Sequence, residues 1–372
     1  MSLEIGPWKY WLLIRIAFLW NQVLCRRRKH YRLAIIKMDR IGDAVLAVGA
    51  IRLLIDRVGE DQSLLVISPI AESLYRAEFP RTDFLVLPIS CISFWPEFVT
   101  FLWKYHSRFS GLSCDELVCL RHHPSDYLHA MMRLLPASVR YACEKKESYL
   151  GKAAVPFPDA VLSPYPEVLI GHCQELEAHR RVVSSVLGFE VPLEQIHSRL
   201  TVRATEVRTV LLVCPQASDE IRQYPPELLA TVIQGFIAQH PMPVEFCVPP
   251  GTDIRVWDCA NEAAGLNSVT WRFPATIPDL VQEIASVRIL LAPESGPAHI
   301  ATALDQPIVV LIGGGNFGNV APWSKSPRQR WLNRPLDCYE CGWKCVHASP
   351  ICITEIPPVE VIQQLVAAIA EQ

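Results

Sequence analysis

The chain has 372 residues, half of them hydrophobic, which is enough for two domains that each have a core of their own. Its formal net charge of −3 lacks the basic excess typical of nucleic-acid-binding proteins, so nucleic acid is not expected as a partner. Most of its thirteen cysteines are scattered through apolar runs such as Val118-Cys119-Leu120, a pattern typical of buried free thiols in a reducing, cytoplasmic compartment.

Near the N-terminus, residues 8–24 form an apolar run rich in aromatics that leads into a basic cluster at 26–30. The run is short for a membrane span and carries Arg15 in its middle, which disfavours a transmembrane helix. A signal peptide is disfavoured because the basic cluster follows the apolar run. Two alternatives stay open: a peripheral helix on an anionic inner membrane, or a helix docked on the protein itself.

The first strand is predicted at residues 33–37, and a loop with a glycine leads from it into a helical pattern over 44–58. This arrangement places a site at the carboxyl end of the strand. Asp43, at the start of the helix, has two interpretations. One is a helix N-cap, and the other is a catalytic role that only a family resemblance implies.

Further strand-like runs are predicted at 64–68, 84–88 and 116–120, and a helix at 175–189 precedes a linker at 190–207. Polar residues follow the strands at their carboxyl ends. By fold analogy, or else as simple loop solvation, four of them are predicted on the acceptor side of a cleft: Arg40, Arg121, His122 and His123.

The second half of the chain opens with a buried strand at 209–214, a polar loop and a helix that ends at Gln239. Ser218 and Arg222 lie in the loop. Arginine provides a permanent cation that can bind one partner through two parallel hydrogen bonds. The alternative is an ordinary surface loop.

The next strand is predicted at 244–249. Further along the chain follow a strand at 289–292, a short helix that ends at Leu304 and a strand at 308–312. Ser295 is a suitable N-cap, Gly296 allows a close backbone approach, and Pro297 fits the first helical turn. The free N–H groups of such a helix start form a place for an anion, usually a phosphate, and Glu294 and His299 flank it. The alternative is a plain β–α–β unit with a capped helix.

Taken in order, these three segments resemble the motifs of glycosyltransferase family nine, the ADP-heptose:lipopolysaccharide heptosyltransferases. Ile41-Gly42-Asp43 matches the first motif, Ser218 with Arg222 and Tyr224-Pro225 matches a central loop with Arg for Lys, and residues 294–299 match the last motif with Glu for Asp. The resemblance implies an α/β GT-B fold, in which two Rossmann-like domains with parallel sheets face each other across a cleft. Four divisions are expected. Residues 1–32 form an amphipathic and basic segment, and residues 33–195 form an acceptor domain. Residues 205–337 form a nucleotide-sugar domain, and residues 338–372 form a four-cysteine segment with a closing helix.

The resemblance also implies an activity, the inverting transfer of a sugar, heptose, from ADP-heptose to a hydroxyl of a lipopolysaccharide-type acceptor. Asp43 is the expected base. Ser218, Arg222 and the helix start at 295–297 are expected to hold the diphosphate, while Glu294 and His299 bind the sugar or ribose. The alternatives are transfer to a protein, as in autotransporter-modifying heptosyltransferases, and a non-catalytic binding protein on the same fold. A nicotinamide-dependent oxidoreductase is disfavoured, because no Gly-x-Gly-x-x-Gly follows a strand with an acidic residue ~20 positions later.

Four cysteines crowd together near the C-terminus, at Cys338, Cys341, Cys345 and Cys352. Four thiolates suit tetrahedral zinc or iron, and two disulfides are the alternative. The resemblance favours a structural metal, since family members that modify autotransporters have a four-cysteine iron site. A closed site leaves no position for substrate, so we expect a role in stability or oligomer contacts and no catalytic metal.

Overall fold

A computed structural model describes residues 29–88, 104–105, 107–121, 128, 131–132, 134–142, 174–204, 206–266 and 268–371. The chain divides into two compact units. The first unit comprises residues 1–40, 49–168 and 175–196, and the second comprises 41–48, 169–174 and 197–372. Each unit contains a parallel sheet, so the predicted class of two Rossmann-like α/β domains is confirmed.

The sheet of the first unit has the strand order β3-β2-β1-β4-β5, and its pairings are parallel. Its strands are β1 (Lys29–Lys37), β2 (Ser63–Ile67), β3 (Asp83–Val86), β4 (Leu112–Cys119) and β5 (Ala137–Ala142). Residues 33–36 in the central strand are fully buried, as expected for a strand covered on both faces. The helices that the structure describes in this half are α1 (Ile41–Val58), α2 (Pro69–Glu78), α3 (Gln174–Leu187) and α4 (Leu193–Ile196).

Part of the predicted basic cluster belongs to the sheet, because β1 begins at Lys29. Lys29 pairs with Asp83, and His30 lies 3.0 Å from both Ser113 and Asp115. The predicted helix at 8–24 lies outside the described residues. Within the described part of the chain, none of the helices combines the length and hydrophobicity that crossing a bilayer requires.

The sheet of the second unit has the order β11-β10-β9-β6-β7-β8, again with parallel pairings. Its strands are β6 (Arg208–Val213), β7 (Val244–Cys247), β8 (Thr270–Arg272), β9 (Val287–Pro293), β10 (Ile308–Leu311) and β11 (Gln329–Leu332). Its helices are α5 (Pro226–Gln239), α6 (Arg255–Ala263), α7 (Ile277–Ala285), α8 (Gly296–Ala303), α9 (Ile351–Thr354) and α10 (Pro358–Ala370). The side chains of α5 and α10 join those of the sheet in one hydrophobic core.

Candidate functional site

The start of α1 packs against the start of α8 within the second unit. A Cβ built on Gly42 would lie 2.8 Å from Cδ2 of His299, and one built on Gly296 would lie 2.5 Å from Cγ2 of Ile41. Real Cβ atoms do not approach so closely, so both positions need glycine for contact rather than for backbone conformation. The first and last predicted motifs, far apart in sequence, therefore meet.

Asp43 follows Gly42 in the first turn of α1, where a carboxylate is stabilised by the helix dipole. The alternative interpretation of Asp43 as the N-cap is wrong, because Arg40 occupies that position and its side chain makes no capping hydrogen bond. Asp43 is half-buried. The structure thus places this carboxylate one residue from the contact with His299.

Ser295 is the N-cap residue of α8 by position, as predicted. Its hydroxyl does not cap the helix, because Oγ donates to the carbonyl oxygen of Pro293 at 3.0 Å. Pro297 lies in the first turn. The first-turn N–H groups of a helix have no partner within it, so the start of α8 keeps its capacity to bind an anion.

Glu294 is the centre of a buried hydrogen-bond network and is 4% exposed. Its Oε1 lies 2.9 Å from Nε2 of His299, while Oε2 accepts from Nη1 of Arg222 at 3.1 Å and from Nδ2 of Asn316 at 2.5 Å. Burial alone would raise the pKa of Glu294, but the hydrogen bond from His299, the charge of Arg222 and the Asn316 amide outweigh it and lower the pKa to about 2. The carboxylate is therefore ionised at neutral pH.

His299 is held as one tautomer. The indole Nε1 of Trp323 donates to Nδ1 of His299 at 2.9 Å, and the two rings stack at an interplanar angle of 10°. Because an indole nitrogen is only a donor, Nδ1 must accept, and the imidazole proton is on Nε2, from which it is donated to Glu294. Both ring nitrogens of His299 are therefore used inside the protein.

Arg222 joins the polar loop to this network. It lies in a single 3-10 turn at Glu220–Arg222, and its Nη2 donates to the hydroxyl of Ser218 and lies 3.7 Å from Asp219. Its Nε is buried and has no hydrogen-bond partner within the described part of the chain. The structure thus brings Ser218, Arg222, Glu294 and His299 together, as the motifs predict. Two further members, Asn316 and Trp323, were not predicted.

A second buried polar cluster lies in the first unit and was not predicted either. Lys37 is fully buried, and its Nζ lies 2.8 Å from Glu175 and 3.1 Å from Asp39. Burial would raise the pKa of Glu175, but Lys37 and His179 lower it well below the ordinary value. Burial, followed by the charge of Lys37, lowers the pKa of His179. Lys37 therefore balances buried carboxylates at the carboxyl end of β1.

The structure describes two of the four residues predicted on the acceptor side, Arg40 and Arg121, and one of these two belongs to this cluster. Arg121 contributes to it, with Nη1 2.8 Å from Oδ1 of Asp39. Arg40 is exposed at the start of α1. His122 and His123 lie outside the described residues.

The four C-terminal cysteines are free thiols, which contradicts the disulfide alternative; Cys352 is buried and the other three are half-buried. Burial raises the pKa of Cys352, and the charges of Cys338, Cys341 and Cys345 raise it further, so the four sulfurs are near enough to interact. Yet no three His, Cys, Asp or Glu side chains among the described residues are arranged to hold a metal ion. As placed, the thiols do not fit a coordination shell.

Comparison with known proteins identifies a family similarity in the second half of the chain. Residues 174–345 match the family model for glycosyltransferase family 9 (heptosyltransferase). A curated relative, lipooligosaccharide heptosyltransferase 2 of Campylobacter jejuni, is 29% identical over 91 residues, which are 24% of this chain and 28% of the relative. The chain therefore aligns with little more than a quarter of that relative's length.

Solved structures match over nearly the whole chain. A family 9 glycosyltransferase from Veillonella parvula has a TM-score of 0.68 at 15% identity, and the alignment covers 92% of this chain and 98% of that structure's chain. E. coli heptosyltransferase WaaC with ADP has a TM-score of 0.63 at 12% identity, with coverages of 91% and 100%. E. coli TibC, an iron-containing dodecameric glycosyltransferase, has a TM-score of 0.50 at 12% identity and coverages of 92% and 77%.

The two parallel-sheet domains and their similarity to these structures define the chain as a GT-B protein. More specifically, the resemblance to glycosyltransferase family nine is confirmed, and residues 174–345 carry the sequence pattern of that family.

Proposed function

We propose that this protein is an inverting glycosyltransferase that moves a sugar, heptose, from ADP-heptose to a hydroxyl group. The observation that carries the proposal is the contact of Gly42 with His299. Asp43 is the next residue in α1, His299 is bonded to Glu294, and Glu294 is bonded to Arg222. This chain of contacts supports a base and a diphosphate site that serve one substrate.

Asp43 is the proposed base. A sugar hydroxyl is a weak nucleophile until a carboxylate takes its proton, and the oxygen then attacks the anomeric carbon as the bond to the diphosphate breaks. His299 is not suited to this role, because Trp323 and Glu294 use both of its ring nitrogens. Glu294 is not suited to protonating the leaving group, because its pKa of about 2 keeps it ionised at neutral pH.

The leaving diphosphate is assigned to Arg222, Ser218 and the start of α8 at Ser295, Gly296 and Pro297. The unpartnered Nε of Arg222 supports this assignment, because a buried donor without a partner is costly unless a ligand satisfies it. Nε and Nη2 form one edge of the guanidinium, which suits two phosphate oxygens. Negative charge that develops on the leaving group would be stabilised there by donors already in place.

Glu294 and His299 are proposed to line the donor's sugar or ribose, as in the resembling family. Their polar atoms are already engaged with each other and with Arg222, Asn316 and Trp323. A sugar hydroxyl could bind Glu294 or His299 only by adding a further hydrogen bond or by replacing one of those present. The main contribution of Glu294 is therefore to orient Arg222 by its fixed negative charge, and His299 holds Glu294 in place.

For the acceptor we propose a lipopolysaccharide-type saccharide, with Arg40 and Arg121 as its contacts on the first unit. The name of the Campylobacter jejuni relative supports a saccharide acceptor. Peripheral contact of residues 8–24 with the inner membrane would suit such a substrate. A protein acceptor is the second candidate.

The four cysteines are proposed to close around a structural zinc or iron ion. Their spacing and their mutual effect on the pKa of Cys352 support this, and TibC is described as iron-containing. A closed four-thiolate site has no vacant position for substrate, so no step of the transfer is assigned to this ion.

Replacement of Asp43 by Asn tests the proposed function. We expect the wild-type protein to bind ADP in calorimetry and to add heptose to a deacylated lipopolysaccharide core, detected by mass spectrometry. Asp43→Asn should keep ADP binding and lose turnover by at least 10²-fold, the lower range of general-base contributions. Retained turnover would refute the assignment of the base. ADP binding without turnover by the wild type, on saccharide and on protein acceptors, would favour a non-catalytic binding protein.

A further inference from the structure

A chain of hydrogen bonds connects Glu294 to the cysteine segment, defined as residues 338–352. Asn316, just beyond β10, uses both ends of its amide. Nδ2 donates to Oε2 of Glu294 at 2.5 Å, and Oδ1 accepts from Nε1 of Trp343 at 2.9 Å. Trp343 lies between Cys341 and Cys345. The cysteine segment is therefore two hydrogen bonds away from the carboxylate that holds Arg222.

The orientation of the Asn316 amide is fixed by its two neighbours. A carboxylate only accepts hydrogen bonds and an indole nitrogen only donates, so the NH2 group must face Glu294 and the oxygen must face Trp343. Without the indole N–H, Oδ1 of Asn316 would lose its donor, and the amide would be held by Glu294 alone. The amide, and with it the Glu294 carboxylate, would then be less firmly oriented.

The backbone before Asn316 is shaped to receive the cysteine segment. A Cβ on Gly313 or Gly315 would lie 2.7 Å or 2.5 Å from ring atoms of Trp343. The amide of Glu340 also donates to the carbonyl oxygen of Gly314 at 2.9 Å. Trp343 itself has a φ of 66°, an unfavourable value for a residue with a side chain. Such a conformation persists where surrounding contacts impose it. Here the contacts are those with residues 313–315, which we call the glycine loop.

We infer that Asn316 and Trp343 are positioning residues of the proposed donor site. They hold the Glu294 carboxylate in the orientation that aligns the Arg222 guanidinium for the diphosphate. The cysteine segment thereby helps to orient the donor site, in addition to packing at the end of the domain. This inference rests on the proposed function.

A purely structural role for Trp343 predicts that loss of its N–H affects ADP binding no more than loss of another hydrogen bond in the same segment. Trp343→Phe keeps an aromatic ring against the glycine loop and removes only the N–H. Tyr339→Phe is the matched control, because Tyr339 belongs to the same segment and its ring would meet a Cβ on Gly314. Its hydroxyl donates to the carbonyl oxygen of Arg334 and not toward Glu294. Each variant thus removes one hydrogen bond from the same segment.

The test measures the Kd for ADP by calorimetry on the full-length protein, with melting temperature as the check on folding. We expect Trp343→Phe to raise the Kd by about tenfold and Tyr339→Phe to leave it within twofold, since a factor of ten corresponds to one lost hydrogen bond to a charged network. In an Arg222→Ala background, Trp343→Phe should have no further effect on the Kd, because coupled residues are not additive.

Two results would overturn the inference alone. One is wild-type ADP binding that Trp343→Phe leaves unchanged, and the other is an equal weakening by Trp343→Phe with and without Arg222. If Trp343→Phe does not fold, the isosteric Asn316→Asp, which sets a second carboxylate against Glu294, decides by the same criteria. Absence of ADP binding and transfer in the wild type would instead refute the proposed function, and the inference with it.

Discussion

Replacing Glu294 by Gln removes the charge at the centre of the donor-site network and keeps its shape. The folded protein lowers the pKa of this carboxyl from 4.5 to about 2. At about 1.4 kcal/mol for each pKa unit, this shift corresponds to roughly 3 kcal/mol of stability at pH 7. The same range is typical of breaking a buried ion pair, since the change leaves the largely buried Arg222 cation without its counterion.

The sign of the pH dependence follows from the direction of this shift. A carboxyl whose pKa is lowered by folding contributes its full stability above the unfolded value of 4.5 and loses it as the pH falls toward 2. The difference between wild type and Glu294→Gln should therefore shrink from roughly 3 kcal/mol at pH 7 to roughly 1 kcal/mol at pH 3.

Amide hydrogen exchange in β9 under mild urea is a suitable assay, because it reports the opening of the second unit separately from the first. The exposed Glu206, replaced by Gln, is the matched control and should change the opening free energy by less than about 0.5 kcal/mol. A loss below about 1 kcal/mol for Glu294→Gln at pH 7 would refute the reasoning, as would a difference that does not depend on pH.

Three further predictions concern other parts of the molecule. Gly42→Ala should reduce turnover by about 10²-fold with ADP binding retained, because its Cβ would displace the locked His299 ring and misplace Asp43; wild-type kinetics in the transfer assay would contradict this. Lys37→Met should lower the unfolding free energy by about 3–5 kcal/mol, seen as loss of exchange protection in β1, because the buried Glu175 would lose the Lys37 cation and Asp39 would keep only its ion pair with Arg121. Elemental analysis of the isolated protein should find about one zinc or iron ion per chain, lost in Cys338→Ser but not in Cys259→Ser; a metal-free protein with full ADP binding would exclude the structural metal.

Periodicity and turn residues predict the interior of both sheets well. An uninterrupted apolar run lies within each of the central strands β1, β6, β9 and β10, and the structure confirms the predicted strands within a few residues. The strands that were missed, β5, β8 and β11, lie at the edges of the two sheets, and each includes an arginine. Their strand conformation comes from pairing at the side of an existing sheet, which no local pattern reveals.

The motifs also predict which residues meet at the candidate site, but not how their charges are arranged. Glu294 and His299 flank a helix start in the sequence, and the structure bonds them to each other. Asn316, Trp323 and Trp343 have no motif of their own. Their roles depend on loops beyond β10 that fold back over the network, so the partners are distant in the sequence and carry no spacing signal.

The assignment of residues 41–48 to the second unit has a practical consequence for dissecting the protein. A recombinant fragment starting at residue 197 would contain every partner of Glu294 described above, yet it would lack the glycine that covers the His299 edge. Such a truncation would expose an imidazole that is 2% accessible in the intact chain. Supplying the missing octapeptide in trans is then a natural complementation experiment, because a cut at the linker separates residues 41–48 from residues 197–372.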